Sequence, residues 1–538
     1  MMMTGGDSNN SRWWKGAMFV TAAAFTGKVL SALYRVPYQN MAGDQGLYVY
    51  QQVYPLLGTA MITAMYGFPV ALSGMIMEQG ADQNPKEAEV TARAAFVLLF
   101  LLHGLLFTSL AFTSPFIASW MGDPQLAGIL RQAGLVLVLV PFISMVRGYY
   151  QGLGNMQPAA VSHLTEQVIR SGAIIGFTAL VVFNGFGTYA AGEAAAAASV
   201  LGAAASAGYL YVIWRRRDNP GPVFVSEVIQ RVKEIGGALL VRGLLAASGA
   251  MIFLLYQWVD AFTVVRVLTG QAADAEQAKA LKGIFDRGQP LLQFGTVLAT
   301  SFAMTVVPLI QKEKTTEGAD RSAAYAGFAL RLTLFTGSAA AAGLIMIAEP
   351  VNIMLFENQA GTGALRILSA ALLFSGIIMI TSAVMQGHYQ FILPVLFLGL
   401  GVVVKAAGNV MLLPVFGIGG AAAATVLGMA VTAGCTSISM FRIQAVRLPS
   451  GTWIVKLAAS LALMVLLLAG MNAGYDLLSA GTNRLPAAGQ ALTATAAGVV
   501  LQAVLVKKWG LFTEEERMHL PLFHHLDSPS KSKGEEKR

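Results

Sequence analysis

Long apolar runs separated by short polar breaks repeat along almost the whole chain. A helix rising about 1.5 Å per residue needs roughly 20 predominantly apolar residues to cross the hydrocarbon core of a bilayer. Runs of that kind lie at 15–37, 46–75, 92–113, 125–147, 158–183, 189–213, 236–262, 283–310, 324–348, 364–386, 394–413, 416–441, 453–474 and 487–506. The pattern predicts an all-α polytopic membrane protein with about 14 transmembrane helices. The polar breaks divide it further. Residues 1–14 read as a cytoplasmic N-terminus before a retained first span, since no small-residue cleavage site follows that span. The longest interruption, 214–235, reads as a cytoplasmic linker between an N-lobe of six spans (15–213) and a C-lobe of six (236–441). Two further spans fill 453–506, and the charged, proline-containing tail 507–538 is expected to be disordered.

The two lobes resemble one another weakly. Gln151-Gly152 and Arg170 recur as Gln386-Gly387 and Lys405 at one offset of 235 residues, and Pro158 has its counterpart in Pro394. Phe186-Gly187 before an alanine-rich stretch recurs as Phe416-Gly417 before Ala421–Ala424, the offset slipping to 230. Three landmarks in the same order favour a duplicated six-span unit, a common plan among secondary transporters.

Composition sharpens the membrane reading. Of 538 residues, 55% are apolar and only 12% charged, about half of the roughly 25% usual in soluble domains. The formal charge of +8 does not indicate nucleic acid, because Lys and Arg gather in alternate loops as topology signals do. Basic residues such as Arg12, Lys15, Lys86, Arg93, Arg147, Arg215–Arg217, Lys312, Arg442 and Lys507 fall on one side. With an even number of spans, both termini are expected in the cytoplasm. The single cysteine, Cys435, excludes a disulfide framework or a cysteine-based zinc site, and it reads as an inert buried thiol. Gly417-Ile418-Gly419 with Ala422 mimics a dinucleotide fingerprint but lies between two apolar spans, and no GxxxxGK[ST] sequence exists. The six histidines lack HExxH spacing. No cofactor or metal is expected.

Charges inside apolar runs carry the functional signal, since each costs roughly 2.5–3.5 kcal/mol at the bilayer centre on insertion scales. Lys28, Arg170 and Lys405 fall near mid-membrane, Arg35 near the outer end of the first span, and Asp286-Arg287 at the start of the eighth. Glu166 and Arg170 are spaced i,i+4, so they either neutralise one another within the N-lobe or add to a shared cavity. Lys405 has no acid within one turn and must find a partner elsewhere or face water. Lys28, Arg35 and Arg287 also lack an acid at i±4, which favours a water-filled cationic cavity. Arg242 and Arg331 lie close enough to the cytoplasmic face to snorkel. A cationic cavity suits an anionic passenger, and arginine can grip phosphate oxygens in pairs, so a diphosphate is the natural candidate.

Two segments carry a resemblance. RGYYQGLGNMQPAAVSHLTEQVIR, Arg147 to Arg170, is similar to the junction of the fourth and fifth spans in stage V sporulation protein B-like polysaccharide-export proteins. GKVLSALYRVPYQNMAGDQGLYVYQQVYP, Gly27 to Pro55, is similar to their first two spans. These proteins belong to the multidrug/oligosaccharidyl-lipid/polysaccharide exporter superfamily, and the resemblance covers residues 15 to 445. It implies two six-helix lobes in a V around a central cavity, two extra C-terminal helices, and alternating access. It also implies flipping of undecaprenyl-diphosphate-linked saccharides across a bacterial cytoplasmic membrane. Cavity arginines of the lipid II flippases carry over to Lys28, to the neighbourhood of Arg35, and to Asp286-Arg287. Their second-span arginine does not, because Thr59 stands at its position.

The leading expectation is therefore a flippase for lipid II or a surface-polysaccharide precursor, serving cell-wall, sporulation or polysaccharide synthesis. Lys28, Arg35 and Arg287 are its candidate substrate contacts, with Asp286, Glu166, Arg170 and Lys405 as supporting charges. Membrane lipids and cell-wall or polysaccharide synthesis enzymes are its candidate partners, and the membrane potential or a counter-ion is the candidate driving force. A cation-coupled multidrug exporter is the alternative, disfavoured because deep bases outnumber deep acids such as Glu166 and Asp260. A membrane-embedded glycosyltransferase would need a catalytic loop larger than 263–282.

Overall fold

The computed structural model describes residues 26–27, 29–80, 84–217, 221–270, 274–295, 319–443, 449–478, 483–513 and 516. Among them the chain is helical and contains no strand, and 12 helices are long and apolar enough to cross a membrane. The protein is an all-α, multi-pass membrane protein. Lys28, the first of the sequence candidates, lies outside the described residues, as do 296–318 in the expected eighth span and most of the tail.

The first helical run, Val29–Glu78, is 50 residues long and would reach about 75 Å if straight. It does not run straight. Within α1 (Arg35–Ile62), Gly43 adopts φ 70°, ψ −177°, a region that excludes side chains, and the chain reverses there. The Tyr38 hydroxyl donates to the Gly46 carbonyl at 2.9 Å, closing the turn. Tyr34 and Tyr50, which would lie about 24 Å apart on a straight helix, meet hydroxyl to hydroxyl at 2.8 Å. The first leg thus continues to Ala42, beyond the expected end at 37, and Arg35 sits about two turns inside it rather than near its end. A five-residue π-helix, Thr63–Gly67, then interrupts the second leg before α2 (Phe68–Glu78).

The first bundle is completed by α3 (Pro85–Trp120), α4 (Leu126–Gly152), α5 (Gln157–Phe183) and α6 (Thr188–Arg215). The expected linker 214–235 is helical from Val225 onward. It forms the start of α7 (Val225–Ser248), whose Ile235 and Leu239 enter the apolar core of the first bundle. Charge pairing explains this extension: Lys86 to Glu227 at 2.7 Å, Arg231 to Glu87, and Arg242 to Glu78 at 2.8 Å pin α7 along α2 and α3. After a 3-10 turn at Gly249–Met251, α8 (Ile252–Thr269) leads to α9 (Ala275–Asp286) and α10 (Gly288–Gly295).

The second bundle comprises α11 (Ala319–Phe356), α12 (Thr362–Ser369), α13 (Ala371–Gly387), α14 (Ile392–Phe416) and α15 (Ile418–Ile443). Its core is separate, with Tyr256, Phe285, Leu372, Leu413 and Met429 among its members. Gln386-Gly387 closes α13 as Gln151-Gly152 closes α4. The repeated hairpins, α5 with α6 and α14 with α15, are each packed closely through small residues. Gly202 lies against Arg170, and Gly420 against the Leu412 carbonyl. Finally α16 (Gly451–Leu478) and α17 (Arg484–Trp509) lie against α11, where Ile347, Met464 and Leu468 share a core.

Candidate functional site

Among the described residues, the predicted intramembrane charges fall into four clusters. In the first bundle, Arg147 is fully buried. Counted from the sequence among the loop cations, it instead donates from Nη2 to Glu166 at 3.0 Å and to Ser206 at 3.0 Å, and from Nε to Ser162 at 2.9 Å. Its Nη1 reaches the Ala64 carbonyl inside the π-helix at 3.0 Å, so every nitrogen is used. Of the two readings of the Glu166–Arg170 spacing, the intrahelical pair is not formed, because Glu166 pairs with Arg147. An intrahelical pair would satisfy one carboxylate, whereas Arg147 joins α4, α5, α6 and the π-helix in a single network.

Among the described residues, Arg170 and Arg35 are consequently left without an ion-paired carboxylate, although their exposure is only 1% and 0%. Arg170 donates to Gln167 and to Ser31 (3.4 Å) and abuts Met61. None of the three Arg35 nitrogens makes a hydrogen bond of good geometry among the described residues, and its polar neighbours are the Tyr34 and Tyr54 hydroxyls. Its guanidinium lies over the Tyr54 ring at 4.3 Å and near Tyr34 at 6.0 Å. Tyr50 packs on Tyr54 and Tyr38, so four tyrosines wall this corner. Cation–π contacts are worth about 2 kcal/mol when desolvated, and uncompensated burial of a charge costs several. Among the described residues, this corner holds two buried cations and no paired carboxylate.

Arg287 lies elsewhere and shares no partner with Arg35. Its exposure is 2%, and it grips the Asp44 carboxylate from two nitrogens, at 2.8 and 2.6 Å, while a third bonds Asn358 at 2.7 Å. Asp44 follows the Gly43 turn and also accepts from Gln39 at 2.9 Å. Around this pair the second bundle is fastened to the first. Gly283 has its α-carbon so close to Asp44 that an added Cβ would lie 2.0 Å from the Asp44 carbonyl oxygen. Gln45 donates to Glu276 at 3.0 Å, and Lys279 donates to Tyr189 at 2.9 Å beside Asp123. Burial disfavours the Lys279 ammonium, but its bonds to Tyr189 and Glu276 and the Asp123 charge outweigh that and raise it above the ordinary lysine range. Asp286, expected to accompany Arg287, is bonded to Lys282 instead at 2.5 Å.

The fourth cluster answers the question posed by Lys405. Its ammonium donates to Asp260 at 2.6 Å and Thr425 at 2.9 Å, and Asn409 completes the Asp260 carboxylate at 3.0 Å. The pair is wholly buried between α8, α14 and α15. Sequence reading missed Asp44, Arg147's inward role and the tyrosine walls. Asp44 carried a signal, as a charge in the tight Gly43–Gly46 turn between two apolar legs.

The polysaccharide biosynthesis protein family matches residues 13–313 of the chain. The uncharacterized membrane protein YabM of Bacillus subtilis (strain 168) is 36% identical over 521 residues, 94% of each chain. The lipid II flippase MurJ of Bacillus subtilis (strain 168) is 24% identical over 450 residues, covering 78% of this chain and 80% of that one. A solved structure of lipid II flippase MurJ in an inward closed conformation shares the fold, with a TM-score of 0.68 at 14% identity over 91% of this chain and 99% of that one. Matched over more than half its length by the family, and aligned over 94% of its length with a membrane protein relative, the chain belongs to the polysaccharide biosynthesis protein family of the multidrug/oligosaccharidyl-lipid/polysaccharide exporter superfamily.

Proposed function

We propose that the protein flips a lipid-linked, diphosphate-bearing saccharide from the inner to the outer leaflet of the cytoplasmic membrane, as a transporter and not as an enzyme. The observation that supports the reading is Arg35, buried without an ion-paired carboxylate among the described residues, a setting that an anionic headgroup would suit. Similarity to the lipid II flippase MurJ supports the same passenger class. With both termini cytoplasmic, the Gly43 turn faces outward. The Asp44–Arg287 pair is then the outer closure, and the passenger's headgroup enters from the cytoplasmic side. Lys28, seven residues before Arg35 in sequence, is a further contact for the diphosphate. Arg287 is tied to Asp44 in this state, so it meets the headgroup only once the closure parts. The prenyl tail stays in lipid, and the membrane potential or a counter-ion resets the lobes.

Cation-coupled drug export is less well supported, because the deep acids Glu166 and Asp260 are each paired with a base in this state. The test is a leaflet-accessibility assay in proteoliposomes with lipid II and other undecaprenyl-diphosphate saccharides, with and without a potential. Arg35→Ala should abolish translocation while the protein remains membrane-inserted. Full translocation by that variant, or none of any diphosphate lipid by the unaltered chain, would refute the reading.

A further inference from the structure

The hairpin of α16 and α17 holds one end of α11 at three points. Pro350 inside α11 has no amide to return to the Met346 carbonyl, and the helix kinks there, with Ile347 at φ −107°, ψ 15°. Asn472 of α16 takes up the freed carbonyl, donating from Nδ2 at 2.8 Å, and Gln490 of α17 donates in turn to the Asn472 Oδ1 at 3.0 Å. Beyond the kink, Arg484 at the start of α17 donates from Nε to the Met354 carbonyl at 2.9 Å and pairs through Nη1 with Glu357. Glu357 directly follows α11, and its φ of 66° lies in the left-handed region that a side chain disfavours. Such a conformation persists only where the surroundings impose it.

The residues on either side of Glu357 both meet Arg287. Asn358 accepts from Arg287 at 2.7 Å through the same Oδ1 that accepts from the Ala360 amide at 3.0 Å. The Phe356 ring lies 5.2 Å from the Arg287 guanidinium carbon. An exposed ion pair such as Arg484–Glu357 contributes little to overall stability. Its leverage is positional, because it sets the direction in which the chain leaves α11.

We infer that the α16–α17 hairpin is a working part of the closure and that Arg484 is a positioning residue within it. Arg484 holds Glu357 in the left-handed turn, so that Asn358 and Phe356 present Arg287 to Asp44. The inference rests on the reading of Asp44–Arg287 as a closure, and not on the identity of the passenger.

The test follows maleimide labelling of Ala261→Cys in a Cys435→Ser background, using the full-length protein in detergent. Ala261 is buried in the first core, where α8 meets α1. Arg484→Ala should accelerate labelling about fivefold or more, and Arg484→Lys, which keeps the charge but not the two-point grip, should fall between. Arg484→Glu should also accelerate it, and adding Glu357→Arg should recover at least half of that change in log rate. Lys456→Ala removes a 2.6 Å bond to the Trp509 carbonyl at the other end of the same hairpin, and it should leave the rate within about twofold. In an Asp44→Asn background, where the closure is already loosened, Arg484→Ala should add less than about twofold. If Arg484→Ala does not elute as a folded species, Arg484→Lys carries each comparison. An unchanged rate in the Arg484 variant, no recovery by Glu357→Arg, an equal acceleration by Lys456→Ala, or an undiminished effect in the Asp44→Asn background overturns the inference and leaves the closure standing. If Asp44→Asn itself does not accelerate labelling, the closure is refuted and the inference falls with it.

Discussion

Replacing Asp44 with Asn should loosen the closure at the Gly43 end. The carboxylate accepts two charge-assisted bonds from Arg287, whose side chain is 3% exposed against 22% for Asp44. Removing one partner of a fully buried pair costs about 3–5 kcal/mol, chiefly because the other charge is stranded. Asp44 is partly wet and the amide keeps some hydrogen bonding, so about 2 kcal/mol is expected here. That corresponds to a rise of about 30-fold in the population of the parted state. The reporter is Ala261→Cys in a Cys435→Ser background. Ala261 is buried in the first core, where its carbonyl accepts from Gln52 at 3.0 Å across the seam between α1 and α8. Labelling by a membrane-impermeant maleimide added outside the cell should accelerate 10- to 30-fold in the Asp44→Asn background. Gly283→Ala, which forces a methyl against the Asp44 backbone, should act in the same direction through sterics alone. If neither substitution raises the rate threefold, this contact is not the closure.

Lys405→Met should cost about 3–5 kcal/mol of stability by stranding Asp260, and adding Asp260→Asn should restore at least half, read from unfolding midpoints in detergent. A neutral Lys405→Met would mean that the pair is not formed. Gly202→Val should cost about 1–3 kcal/mol, because its Cβ would fall 2.7 Å from the Arg170 Cβ and 2.8 Å from the Glu166 carbonyl. Gly208→Ala, with nothing within 4 Å, should be neutral or stabilising in the same measurement, and equal losses at both sites would contradict the packing of α5 on α6.

Hydropathy alone determined the solvent of this protein and the approximate positions of its helices, because a lipid-facing helix must be apolar along about 20 residues wherever it packs. The same local pattern singled out Arg35, Arg170, Arg287 and Lys405, since a charge in an apolar run is visible without knowing the fold. What it could not give was the partner of each charge. Arg287 finds Asp44 across 243 residues, Lys405 finds Asp260 across 145, and Arg147 takes Glu166 from the base four positions away from it. Periodicity reports neighbours on one helix, whereas these pairs exist only where different helices meet. Packing therefore decided which charges are mutually neutralised, and it left Arg35 and Arg170 without an ion-paired carboxylate among the described residues.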